Sequence, residues 1–291
     1  MKLDKESLKL ALIFKGAIVK RLLAGMLVLT SITFVLVYLH NNNAEEYKKL
    51  NMTISGALPG YMGAALGLLL VFRNSTAYDK WWEARKEVGA LVNTARNLAI
   101  TLNGLLPFNT PERKDVSHLL ICFTFSLKAH LRDQVEKTSL DILSEEDRVL
   151  VENAKHRPVV IANIMTNKIE NVWKRKLITD IQQSLLIEKI HGLVDILGKC
   201  ERIKNTPIPM AYMYLLKFLI NLYVIILPFS LVDEIGWLCI PLVILLYYIL
   251  MSIVITAEEI EEPFGYDLND LEMDKIALNI KNNIEEIVTH D

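Results

Sequence analysis

The residue types that could do chemistry are few, and their spacing argues against catalysis. The six histidines, His40, His118, His130, His156, His191 and His290, form no His-x-x-x-His pair, and the one Glu-x-x-His spacing, Glu188 with His191, lies outside the apolar segments where it would make an intramembrane metal site. No glycine-rich loop is available to cradle a phosphate, and Cys122, Cys200 and Cys239 have no paired spacing for a disulfide framework or a zinc knuckle. Between residues 52 and 72 the only hydroxyls are those of Thr53, Ser55 and Tyr61, with no acid or base beside them. Lys217 is the one charge in a long apolar run. Such a residue is a functional candidate by default, but it lies close enough to Tyr212 for its ammonium to reach an interface along its own stem. These patterns exclude an enzyme. They leave a periodic feature: Gly56, Gly60, Gly63 and Gly67 form a small-residue face suited to close helix approach. Gly60, Ala64, Leu68 and Phe72 form a second ridge at steps of four that grows bulkier along the helix. By spacing alone that ridge fits either a lipid-facing or core stripe, or the lining of a tapering lumen.

The elements that must carry this ridge follow from segregation. The chain of 291 residues is 52% hydrophobic yet 23% charged, with mean hydropathy +0.29, so apolar and charged residues cannot be evenly mixed. Residues 22–39, 54–72 and 235–257 contain no Asp, Glu, Lys, Arg or His, and 210–232 contains only Lys217. Each is long enough, at about 1.5 Å per residue, to cross most of a hydrocarbon core of about 30 Å. None has the polar stripe a soluble helix needs. Residues 22–39 exceed a signal-peptide core and run into His40, Asn41, Asn42 and Asn43, so they read as a retained span. Of the 32 Lys and Arg, 21 lie between residues 73 and 204 and six precede residue 22. The positive-inside rule therefore places both termini and the 73–205 stretch in the cytoplasm.

Within that stretch, residues 79–106 carry Val88, Leu91, Val92, Ala95, Leu98 and Leu102 on one helical stripe, predicting that the second span continues as a long amphipathic helix. The apolar run 118–127 is too short to span and predicts a helix buried among others. Residues 177–197 predict a further amphipathic helix. No strand-like alternation, repeat or low-complexity linker interrupts the pattern. The fold class expected is all-α, a polytopic membrane protein with four transmembrane helices plus cytoplasmic helices at 73–205 and 258–291, residues 1–291 forming one body.

The stretch Phe72-Arg73-Asn74-Ser75-Thr76-Ala77-Tyr78-Asp79-Lys80-Trp81-Trp82-Glu83-Ala84-Arg85 closely resembles the signature of prokaryotic bestrophins. Cys200-Glu201-Arg202-Ile203-Lys204-Asn205-Thr206-Pro207-Ile208-Pro209-Met210-Ala211-Tyr212 and Glu262-Pro263-Phe264-Gly265 resemble the same family and occur in the same order. Read without the family, Tyr78, Trp81 and Trp82 suit a membrane boundary and Arg73 and Lys80 can reach headgroups, while Pro207 and Pro209 separate two helices.

The resemblance implies a homopentameric ion channel in a bacterial inner membrane, with membrane lipid and small permeant ions as its other partners and no nucleic acid. It puts the pore neck at Ala64, Leu68 and Phe72, with Ala64 smaller than the residue usual there. It puts a cytoplasmic aperture at Ile181, a position that reads equally well as an ordinary packing residue of its helix. Prokaryotic members resembling this chain are associated with monovalent cations, which points to sodium or potassium; the alternatives are a chloride channel of the same architecture or a non-conducting membrane scaffold. Calcium-gated relatives carry an acidic loop after the Pro-Phe-Gly triplet. Here Asp267 and Asp270 match two positions and Tyr266 replaces an expected acid, so no cofactor is implied and calcium is disfavoured against helix capping. The acidic run Glu258, Glu259, Glu261 and Glu262 reads as a solvated face, or as a patch that gathers cations.

Overall fold

The computed structural model describes residues 5–43, 45, 47, 55–107, 110–134 and 138–289, with side chains from Ile18 onward. The loop expected at 40–51, the first residues of the second span, Thr53 and His290 lie largely or wholly outside this set. Among the described residues all extended elements are helical. The α-helices are α1 (Lys5–Asn42), α2 (Ala57–Leu105), α3 (Pro111–Leu131), α4 (Glu145–Glu152), α5 (Arg157–Lys174), α6 (Asp180–Asn205), α7 (Met210–Ile235), α8 (Cys239–Glu261) and α9 (Met273–Thr289). The chain divides into two compact units, Met1–Asp79 with Ile208–Glu261, and Lys80–Pro207 with Glu262–Asp291.

In the first unit, α1, α7, α8 and the beginning of α2 pack through apolar side chains. One cluster joins Leu22 and Leu29 of α1 to Leu66 and Leu70 of α2, Ile220 and Val224 of α7, and Val254 of α8. A second joins Leu36 and Val37 to Leu227, Val232, Cys239 and Val243. Residues 18–42 and the 210–261 hairpin are long and apolar enough to cross a membrane. The hairpin bends at Gly236, whose φ of +52° is the left-handed region that a residue with a Cβ rarely adopts, and a short 3-10 turn over Gly236–Leu238 follows. That turn is why α8 starts at Cys239 and not at 235. At Gly25 an added Cβ would lie 2.3 Å from the Tyr247 hydroxyl, the tightest such contact among the described glycines. The glycine face of α2 behaves otherwise. Gly56, Gly60 and Gly67 would meet nothing within 4 Å, and only Gly63 approaches a neighbour, the Tyr223 hydroxyl at 3.2 Å.

In the second unit α3 is the central helix. Thirteen of its 21 residues are buried, including the whole of 119–124. Its length is set by Pro111 at the first turn and by Lys128 and His130 in the last, where cations suit the helix dipole. Around it, Val88, Leu91, Ala95, Leu98 and Leu102 of α2 meet Ile161, Met165 and Ile169 of α5, Leu186, Ile190 and Leu193 of α6, and Ile280 and Ile284 of α9 in one core. The stripe expected on 79–106 is thus the buried face of α2. The helix expected at 177–197 begins at Asp180 because Thr179 and Gln182 form a reciprocal capping box, and it runs on to Asn205 before Pro207 and Pro209 separate it from α7. The three cysteines are buried and none forms a disulfide. Burial, then the charges of Glu87 and Glu201, push the Cys200 thiol up to about 12, which keeps it inert.

Candidate pore-lining site

On α2, Leu66, Leu70, Arg73 and Ala77 turn inward and are buried. At 100° per residue the positions two away from these lie on nearly the opposite side of the helix, and there the Gly60, Ala64, Leu68, Phe72 ridge is exposed. Leu68 is 59% and Phe72 58% accessible. Tyr61 and Val71 flank the ridge and are exposed as well. Beyond Phe72 the exposed surface turns polar at Ser75, Thr76 and Asp79, and the Thr76 hydroxyl donates to the Phe72 carbonyl at 2.9 Å. The ridge is therefore an apolar stripe with a defined polar end.

Behind the ridge stands an ion pair that sequence reading missed. Arg73 does not reach headgroups: it is 1% exposed, and its Nη2 donates to Glu261 Oε2 at 2.5 Å. Glu261 Oε1 accepts the Ile208 N–H at 2.7 Å, so one carboxylate holds both the start of the α7 segment and the α2 guanidinium. The preceding acids are matched in the same way. Glu258 pairs with Lys217 at 2.6 Å and Glu259 lies 3.9 Å from Arg21. The acidic run is not simply a solvated face, and Lys217 finds a carboxylate instead of only an interface. These pairs also explain why α8 extends to Glu261, beyond the uncharged run ending at 257. The sequence signal was available: three glutamates follow an apolar span, while Arg21 and Arg73 border two other spans and Lys217 lies within a third.

Ile181 lies in the first turn of α6 and is 82% exposed, which removes the reading of it as a packing residue within its own chain. Asp267 and Asp270 lie in the loop before α9. Asp270 Oδ2 accepts the Asp267 N–H at 2.7 Å, and the Asp270 N–H returns to the Asp267 carbonyl at 3.1 Å, forming a closed turn. Gly265 is required beside it, because a Cβ there would sit 2.6 Å from Asp270 Oδ2. The loop is clamped by Arg132, which donates to the carbonyls of Phe264 and Gly265, each at 2.9 Å, and to Asp274 Oδ2 at 2.6 Å. The Tyr266 ring lies over that guanidinium at 4.0 Å, and Trp81 donates to the Asn269 carbonyl at 2.9 Å. The hydrogen bonds from Arg132, then those from Lys128, hold the Asp274 carboxyl below the usual aspartate range.

A bundle of helices long and apolar enough to cross a membrane, with an exposed apolar ridge on α2, defines a helical membrane-protein class. The family model described as Bacterial/Fungal Bestrophin protein matches residues 2–286, and this chain belongs to that family, whose members are ion channels. A voltage-dependent anion channel-forming protein of Nostoc sp. is 37% identical over 229 residues, covering 77% of this chain and 75% of its own. A protein of the same description from Escherichia coli strain K12 is 31% identical over 260 residues, covering 88% and 82%. A crystal structure of a mutated bacterial bestrophin homolog from Klebsiella pneumoniae superimposes with a TM-score of 0.85 at 26% identity, covering 93% of this chain and all of that one.

Proposed function

We propose that this chain is the pore-forming subunit of a homopentameric channel in a bacterial inner membrane. It passes small monovalent anions such as chloride through a neck of Ala64, Leu68 and Phe72 and a second narrowing at Ile181. The observation that carries this reading is the ridge on α2: large apolar side chains left open by their own chain need either lipid, a second copy or a lumen beside them. A polar end at Ser75, Thr76 and Asp79 favours a lumen over lipid, and the open glycine face supports close approach by a neighbouring copy. Ile181, apolar and 82% exposed on a cytoplasmic helix, fits the same logic. The four spans at 22–39, 54–72, 210–232 and 235–257, with both termini cytoplasmic, follow from the charge distribution.

An apolar ring cannot replace a hydration shell, so it acts as a barrier that empties when narrow and conducts hydrated ions when wide. It supplies no sign. The cation preference expected from the resemblance gives way to anions on two grounds. The relatives in Nostoc and Escherichia coli are named for anion channels. Three of the four acids that would have gathered cations, Glu258, Glu259 and Glu261, are matched by Lys217, Arg21 and Arg73. At Asp267 and Asp270 a loop closed without a divalent ion is supported by the Asp270 carboxylate accepting the Asp267 N–H and by Arg132 clamping the Phe264 and Gly265 carbonyls. The purified assembly in planar bilayers is expected to conduct, and its reversal potential across a sodium chloride gradient to follow the chloride equilibrium. A reversal toward the sodium equilibrium would restore the cation reading. No current from an intact oligomer would remove the channel reading altogether.

A further inference from the structure

The described residues contain one group of side chains with metal-ligand chemistry, and it lies outside the pore elements. His130 in the last turn of α3, His156 immediately before α5 and Glu201 near the end of α6 bring Nε2, Nε2 and Oε1 within 4.8 Å of one another. Both imidazoles address the same carboxylate oxygen, His130 at 2.6 Å and His156 at 2.8 Å. Their rings are 4.5 Å apart and inclined at 37°, so the two nitrogens converge. The His156 Nδ1 is buried and makes no hydrogen bond, which leaves the Nε2 side to set that ring's orientation. All three side chains are between one quarter and two fifths exposed, which keeps one side of the cluster open to water. Lys204, which donates to the His130 carbonyl at 3.2 Å, is also engaged by Asp133 at 2.6 Å, so its charge is already matched.

We propose that His130, His156 and Glu201 form a binding site for a divalent metal ion of the zinc class, with water in the remaining position. Two imidazoles and one carboxylate suit borderline ions such as zinc or cobalt, whereas calcium and magnesium prefer oxygen alone. Zinc bonds of about 2.0–2.1 Å in a tetrahedron hold neighbouring donor atoms roughly 3.3 Å apart. Each imidazole nitrogen therefore needs to part from the Glu201 oxygen by only about half an ångström or slightly more, within reach of small torsional changes in Glu201. The ion would join α3, α5 and α6 at one point of the second unit. Sequence spacing could not show this, because the donors come from three helices, with Glu201 separated from His156 by 45 residues and from His130 by 71.

The test uses the full-length protein purified in detergent, stripped with chelator and titrated with zinc chloride. One ion bound per subunit and a raised Tm are expected. His130→Asn with His156→Asn, and separately Glu201→Gln, should weaken binding by about a hundredfold or more, the upper end of what even outer-shell substitutions cost a metal site. His118→Asn serves as the control and should leave binding unchanged. Cobalt chloride added to the unaltered protein should give the visible absorption of a low-symmetry site with nitrogen ligands, a readout that needs no variant to fold. Equal zinc binding by the unaltered and double-variant proteins, or cobalt addition without that absorption, would overturn the site and leave a hydrogen-bonded cluster. No current is measured here, so failure of the metal site and failure of the channel reading remain separate results.

Discussion

The two halves of α2 use similar residues for opposite ends. From Ala84 to Leu102 the inward apolar positions Ala84, Val88, Leu91, Ala95, Leu98 and Leu102 are buried to the last few per cent in the core shared with α3, α5 and α6, and the outward positions are mostly polar or charged, Ile100 being an exposed exception. From Gly60 to Phe72 the inward face is again apolar, but so is the outward face, and Leu68 and Phe72 stay open. One helix therefore carries a finished core and an unfinished one. Where water is the surroundings, an apolar outward face is a liability, and the chain places Lys and Glu there. Where the surroundings are lipid or a second copy, the outward face is free to be apolar, and its shape becomes the functional variable. Arg73 marks the change, since it is the first charge after the ridge and is folded back onto Glu261 instead of outward.

The contrast can be broken most severely at that point. Glu261→Gln leaves the Arg73 guanidinium buried without a counter-charge, where its Nε and Nη1 already lack hydrogen-bond partners. A loss of about 3–5 kcal/mol is expected, read as a collapse of the folded fraction in denaturant titration. Leu98→Ala, in the finished half, should cost about 2–5 kcal/mol through cavity formation, while leaving the conductance of surviving channels unchanged. Leu68→Ala and Phe72→Ala should do the reverse: subunit stability within about 1 kcal/mol of the parent and an enlarged bilayer current, because these side chains have little of their own chain to lose. Equal stability losses at Leu98 and Leu68 would erase the distinction between the halves.

Two smaller effects sharpen it. Gly25→Ala should destabilise by about 1–3 kcal/mol through overpacking on Tyr247 and be relieved in part by Tyr247→Phe, which removes the hydroxyl but keeps the ring carbons, whereas Gly60→Ala, with open space around it, should leave the isolated subunit unaffected and act on assembly alone. In the second unit, the depressed Asp274 carboxyl makes a pH-dependent contribution. It is fully present above the ordinary aspartate value of about 3.9 and is lost as pH falls toward and through the lower folded value. Melting curves from pH 6 to pH 3 should show this component in the parent and not in Asp274→Asn. Because Asp274 is largely exposed, the effect will be small and will shrink with salt.

The sequence by itself determined the helical character, the apolar segments, the continuation of the second span into an amphipathic helix and the burial of the 118–127 run. These follow from local periodicity, which survives whatever the chain packs against. It also determined the ridge of Gly60, Ala64, Leu68 and Phe72 as a candidate, because a four-residue step on a helix is fixed by geometry. The tertiary structure decided which side of α2 the ridge occupies, that Ile181 is uncovered, that Arg73 turns inward to Glu261, and that His130, His156 and Glu201 meet. Each of these depends on side chains brought together from distant helices, and no spacing along the chain encodes a distance between elements that only packing sets.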